Sequence, residues 1–215
     1  MAAPMSLIEA QERAFSHPGL SYTADDLLRM KQMIADKEEP AYATFEALKA
    51  SGYSKLTNET FEDVTDIAEG KHNNTIGVDG RKAHDLALLY RLTDDNRYAE
   101  EALKHINCYN HLTNVSVRGT GPLDGGKVYL LIEAAELLRD YDGWKEEDKE
   151  AFKNMLVHPG YSRTEYPSDH ANMDDALNDV TFYWNIYNLD PTRWGNQGLF
   201  AARGMMAMGI FLDNE

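Results

Sequence analysis

Leu88-Leu89-Tyr90-Arg91-Leu92-Thr93-Asp94-Asp95-Asn96-Arg97-Tyr98-Ala99-Glu100-Glu101-Ala102-Leu103 carries the pattern of one helical hairpin. Leu86, Leu89 and Tyr90 recur at helical spacing before the turn, and Tyr98, Ala102, Ile106 and Tyr109 do so after it. Thr93-Asp94-Asp95 between them are short polar residues that hydrogen-bond their own backbone and stop a helix. The spacing predicts helices over about 81–92 and 97–110, joined as an αα-hairpin.

Outward from this pair the pattern repeats. Val128, Leu131, Ala135 and Leu138 mark a helix over about 125–141, which pairs with 145–156 across Asp142-Gly143-Trp144. Upstream, Thr23 is a good N-cap with Asp26 three residues on, and Leu27, Met30 and Ile34 carry that helix to about residue 37. A second helix is expected over about 40–50, with Pro40 in the first turn, where its missing N–H costs nothing. A short helix is expected around 59–69, then a Gly/Asn-rich loop over 70–80, and another loop over 112–123. Beyond 158–169, expected to be irregular, a helix over about 172–187 is broken by Asp190-Pro191, and a last helix starts near Asn196.

No run of alternating or β-branched residues competes with this reading, so the fold class is all-α. Similar hairpins with short Asp-containing turns, separated by longer loops, indicate an incomplete (α/α) toroid of antiparallel helical hairpins more than a four-helix bundle. Inner helices would line a concave surface, with the long loops gathered at one mouth. A helical solenoid that binds carbohydrate or protein without catalysis shares this periodicity. At about 25 to 40 residues per hairpin, the chain holds part of a closed toroid. Residues 1–215 are expected to be the N-terminal portion of one domain, its missing C-terminal half covering the apolar face of the last helix.

Composition excludes several classes. The 215 residues contain 21 Lys+Arg and 36 Asp+Glu, a formal charge of −15, with 43% hydrophobic residues. That is a folded globular composition, and its acidity argues against nucleic acid as a partner, because phosphate neutralisation needs clustered cations. The longest nearly apolar run, 198–212, is interrupted by Arg203 and is shorter than the roughly 20 residues of a membrane span. A single cysteine, Cys108, forbids an internal disulfide or multi-thiolate metal site and reads as a small buried hydrophobe. His-Glu-x-x-His, Gly-x-Ser-x-Gly, phosphate-loop and dinucleotide fingerprints are all absent, and no cofactor or metal is expected. Carboxylates are abundant, so a glycoside hydrolase using an inward-facing pair stays open.

The most informative stretch is Arg193-Trp194-Gly195-Asn196-Gln197-Gly198-Leu199-Phe200-Ala201-Ala202-Arg203. Small and Met residues after it suit close packing in an inner ring of helices. Asn196 has the chemistry of an N-cap. Two amides flanked by glycines, with the indole of Trp194 beside them, also have the chemistry of a sugar-binding mouth.

These residues resemble the central motif of the alginate lyase superfamily, Asn-Asn-His-Ser-Tyr-Trp-Ala-Ala before an apolar helix. Asn196 matches the second Asn, Ala201-Ala202 match the Ala pair and Phe200 keeps an aromatic, while Gln197 stands where the motif has His. His17-Pro18-Gly19-Leu20, with 23–30, resembles the opening of such domains, and 88–103 their first complete hairpin. The resemblance implies a polysaccharide lyase toroid acting by β-elimination on an anionic, uronic-acid polymer, alginate above others. It implies secretion or a periplasmic location with a signal peptide removed. Asn196 would neutralise the uronate carboxylate, with Gln197 beside it. An amide does not titrate near neutral pH, so Gln197 cannot replace a His as base, and the family's Tyr base is expected beyond this chain. Arg118 and Lys127 fall where the family supplies basic substrate contacts, though each also reads as a surface charge. His72 and Asn73, in the long polar loop, are further substrate-binding candidates, as is Trp194; for the first two a solvated loop is the default reading. His170 beside acids and Tyr183-Trp184 are weaker candidates.

Overall fold

The computed structural model describes residues 15–57, 60–68, 75–112, 114–116, 121–157 and 195–213. Helix α1 (Ala24–Ala35) begins at Thr23 in a complete capping box, the Thr23 side chain accepting from the Asp26 N–H and the Asp26 carboxylate accepting from the Thr23 N–H. Helix α2 (Ala41–Ala50) follows Pro40. A 3-10 turn, Gly52–Ser54, leads to Thr57, whose N–H and hydroxyl both donate to the buried Glu101 carboxylate. Lys104 closes that ion pair at 2.8 Å.

Two expectations fail between 59 and 80. The described residues 60–68 form no helix; Asp66–Ala68 is a strand, β1, paired in parallel with β2, Asn114–Ser116. Ile67 sits directly opposite Val115 in the register, and Ile67 is fully buried. Val64, Thr65 and Ile67 crowd a helix backbone and suit an extended one. Helix α3 (Thr75–Thr93) also begins earlier than its glycines suggest. Ile76, Asp79 and Ala83 are buried at helical spacing, so tertiary packing outweighs the helix penalty of Gly77 and Gly80.

Helix α3 turns at Asp94-Asp95 into α4 (Asn96–Asn107), the predicted hairpin, with Asp95 as N-cap. Helix α5 (Gly121–Leu137) is followed by α6 (Glu146–Leu156). Phe152 of α6 meets Trp144 of the turn at a tilt and Phe211 of the last helix, α7 (Asn196–Phe211), edge-on. Side by side, α3, α5 and α7 form an inner row, with α5 in the middle, while α4 and α6 lie behind. The parallel β1–β2 pair lies ahead of α3 and α5, and the C-terminal ends of α5 and α7 meet through Arg139, which donates to the Phe211 carbonyl (2.6 Å) and the Asp213 carboxylate. The three inner helices therefore run in one direction. The fold is all-α, with one short two-stranded ladder. Among the described residues no helix is long and apolar enough to cross a membrane.

Two polar clusters built on buried carboxylates hold the row. Between α3 and α4, Asp79 accepts from Tyr109 Oη (2.7 Å) and from His105 Nδ1 (3.1 Å), under an edge-on contact from Phe61. Burial pushes the Tyr109 hydroxyl up, and it pushes the nearby Cys108 thiol up to about 12, so Cys108 behaves as the small hydrophobe its sequence suggests.

The second cluster fastens residues 16–22, a strap laid across the inner row. His17 Nδ1 lies 2.6 Å from Glu136 Oε1 and its Nε2 lies 2.8 Å from Asp213 Oδ1. Carboxylates only accept, so this geometry suits a His17 that donates from both ring nitrogens, the protonated form. Burial lowers its pKa, but the Glu136 and Asp213 hydrogen bonds outweigh that and leave it raised above 6.5.

Tyr109→Phe should destabilise the protein by about 1–3 kcal/mol in denaturant titration, because it strands one buried oxygen of Asp79. For His17, the contribution of a raised pKa is fully present below the unfolded value of about 6.5 and is lost as pH rises through the folded value. Melting temperatures of wild type and His17→Gln should accordingly differ most near pH 5.5 to 6 and converge toward pH 9.

Candidate active site

Tyr129, Glu133 and Glu136 form one stripe of α5, at i, i+4 and i+7, facing the strap. The Ser21 N–H donates to Glu133 Oε1 and its hydroxyl to Oε2, both at 2.9 Å. The single Ser21 hydroxyl proton is thus committed, so in the 2.8 Å contact between Ser21 Oγ and Tyr129 Oη the tyrosine donates. Tyr129 is fixed at its face as well: the Cζ of Arg203, on α7, sits 3.4 Å from its ring centroid.

Next to this relay Tyr22 stacks on His84 of α3, with centroids 6.1 Å apart. His84 Nδ1 lies 3.1 Å from Asp85 Oδ1, and Arg81 Nε donates to Asp85 Oδ2 at 2.9 Å. Burial would raise the Asp85 carboxyl, but the hydrogen bonds from His84 and Arg81 hold it below the ordinary range. It is ionised at neutral pH and therefore accepts the hydrogen bond from His84 Nδ1. Burial, then the charges of Glu133 and Asp85, push the Tyr22 hydroxyl upward, so it keeps its proton.

Asn196 opens α7 and is exposed. Its N-cap alternative does not hold: Gly195 occupies the cap position, with no side-chain cap hydrogen bond, leaving the Asn196 amide uncommitted to capping. Gly195 has φ 83° and ψ −149°, a backbone that is essentially glycine's alone. Asn196 and Arg203 are seven residues apart and so share one face of α7, about 10 Å apart along its axis.

A profile of one protein family, Alginate lyase, matches residues 23–215. The chain belongs to the alginate lyase family. It is a polysaccharide lyase by that membership, and the strap lies just ahead of the matched segment. No curated protein matches the sequence.

Within this family member the predicted site residues divide sharply. Asn196 stands on the inner-row face that also bears Arg203 and Tyr129. Gln197 is the second residue of α7 and Lys127 lies in α5, but their side chains fall outside the described residues, as do His72, Asn73, Arg118, Trp194, His170, Tyr183 and Trp184 altogether. Sequence reasoning missed Ser21, Tyr22, His84, Tyr129, Glu133 and Arg203. A signal existed for some of them: Tyr129, Glu133 and Glu136 are polar at helical spacing inside the otherwise apolar run 128–138, and Arg203 interrupts the apolar last helix. Among the described residues no group of three or more His, Cys, Asp or Glu could hold a metal ion.

Gly195→Ala should cost about 1–3 kcal/mol in thermal or denaturant unfolding. Among the described residues nothing lies within 4 Å of the added Cβ, so the effect expected from them is backbone strain.

Proposed function

We infer that the protein cleaves a uronic-acid polymer, alginate above others, by β-elimination, and that Asn196 binds the uronate carboxylate at the scissile sugar. The exposed, uncapped Asn196 amide at the head of an inner helix supports the reading most directly. In this reaction a base takes the C5 proton, the C4–O4 bond breaks, a C4=C5 double bond forms and O4 leaves protonated. No redox change occurs. The C5 proton is weakly acidic until the neighbouring carboxylate is neutralised, and an amide that donates to the developing enolate stabilises the charge where it appears. Gln197 lies next in sequence but has no usable pKa to act as base. The acid–base tyrosine is assigned to no described residue: Tyr129 is tied to Ser21 and covered by Arg203. A secreted or periplasmic setting goes with a polymer too large to enter a cell.

Incubation with alginate, glucuronan and glycosaminoglycans should yield product with the ultraviolet absorbance of an unsaturated uronate. Cleavage without that absorbance would point to hydrolysis, and calorimetric binding without cleavage to a carbohydrate-binding domain; either result overturns the reading. Asn196→Ala should lower kcat by about 10²- to 10³-fold with helical circular dichroism intact; a near-normal rate would remove Asn196 from the site.

A further inference from the structure

Arg203 stands apart from most of the described arginines. Arg29, Arg81, Arg97 and Arg139 each pair with a carboxylate. Arg203 has no carboxylate partner among the described residues, although acidic residues outnumber basic ones 36 to 21. Its guanidinium instead lies on the Tyr129 ring, and 3.4 Å to the centroid leaves room only for a flat-on stack. In a stack the N–H donors point sideways in the guanidinium plane, free for a planar, bidentate acceptor. The seat is rigid, because Tyr129 is held by the hydrogen-bonded relay through Ser21 to the buried Glu133. Glu133 itself is only 2% exposed and takes both Ser21 donors, so it does not compete from solvent for Arg203.

We propose that Arg203 is a second substrate-binding residue, which pairs with the carboxylate of another uronate on the strap side of the sugar held by Asn196. This rests on the lyase reading above and deepens it. The two residues share one face of α7, two helical turns apart, so one polymer laid along that face meets both. They read different things. A neutral amide donates to a carboxylate or its ester alike, whereas a guanidinium discriminates for the ionised acid. Arg203 therefore sets preference for charged over esterified polymer.

The test uses the full-length protein with alginate and partly methyl-esterified alginate, across a range of ionic strength. Arg203→Gln should raise KM for the ionised polymer about 10- to 100-fold, the worth of a hydrogen bond to a charged group, with kcat little changed. Its KM should also lose the salt dependence of the wild type and its preference for the unesterified form. Arg203→Lys keeps the charge without the planar fork and should recover part of the affinity and the salt dependence; it also serves if the Gln variant folds poorly. Tyr129→Leu, which removes the seat, should raise KM in the same direction. A wild type that cleaves alginate while Arg203→Gln retains its KM and salt slope overturns this inference alone. A wild type that neither cleaves nor binds polyuronate overturns the lyase reading and this inference together.

Discussion

Two carboxylates buried on one stripe of α5 govern the arrangement of the inner row. Glu133 and Glu136 are each 2% exposed, and an ionised carboxylate taken from water must be given donors or it destabilises the fold by several kcal/mol. Neighbouring helices supply few. The strap supplies most of them: Ser21 gives Glu133 an N–H and an O–H, while Gly19 N–H and His17 Nδ1 go to Glu136. Arg139 adds charge at 3.6 Å. The constraint works in both directions, since a seven-residue segment with neither helix nor strand has little apolar area of its own with which to stay docked.

That one requirement passes into the site. Fixing Ser21 on Glu133 fixes the hydroxyl of Tyr129, fixing Tyr129 gives Arg203 a flat surface, and Arg203 then projects from the same face as Asn196. Each link is an ordinary contact between neighbours. The proposed elimination needs a flexible anionic chain held in register while a weakly acidic proton is removed, and rigid elements locate such contacts better than loops do.

The hairpins were legible because their signals are local: the Thr23–Asp26 capping box, the Asp94-Asp95 turn, and apolar residues at helical spacing in α4 and α6. The start of α3 was not, since Gly77 and Gly80 read as loop until Ile76 and Asp79 are seen buried against their neighbours. Nor was the β1–β2 ladder, three residues long on each side and separated by nearly fifty in sequence. Asn196 could be picked out because amides and glycines before an apolar helix are unusual. Tyr129 and Arg203 could not be joined, because nothing local reports that residues 74 apart in sequence stack. The strap was the least legible of all; Ser16 to Tyr22 show no periodicity, and their function is to satisfy charges more than a hundred residues away.

His17 and Asp213 are 196 residues apart, yet both belong to one clamp. On a ribosome adding about 5–20 residues per second, His17 emerges some 10 to 40 seconds before its partner exists. Until α7 has been made and docked, His17 lacks its Asp213 partner, while the strap's bonds to Glu133 and Glu136 need nothing beyond α5. Only the Asp213 half of the clamp therefore waits for α7, and that single contact joins the first described residues of the chain to its last.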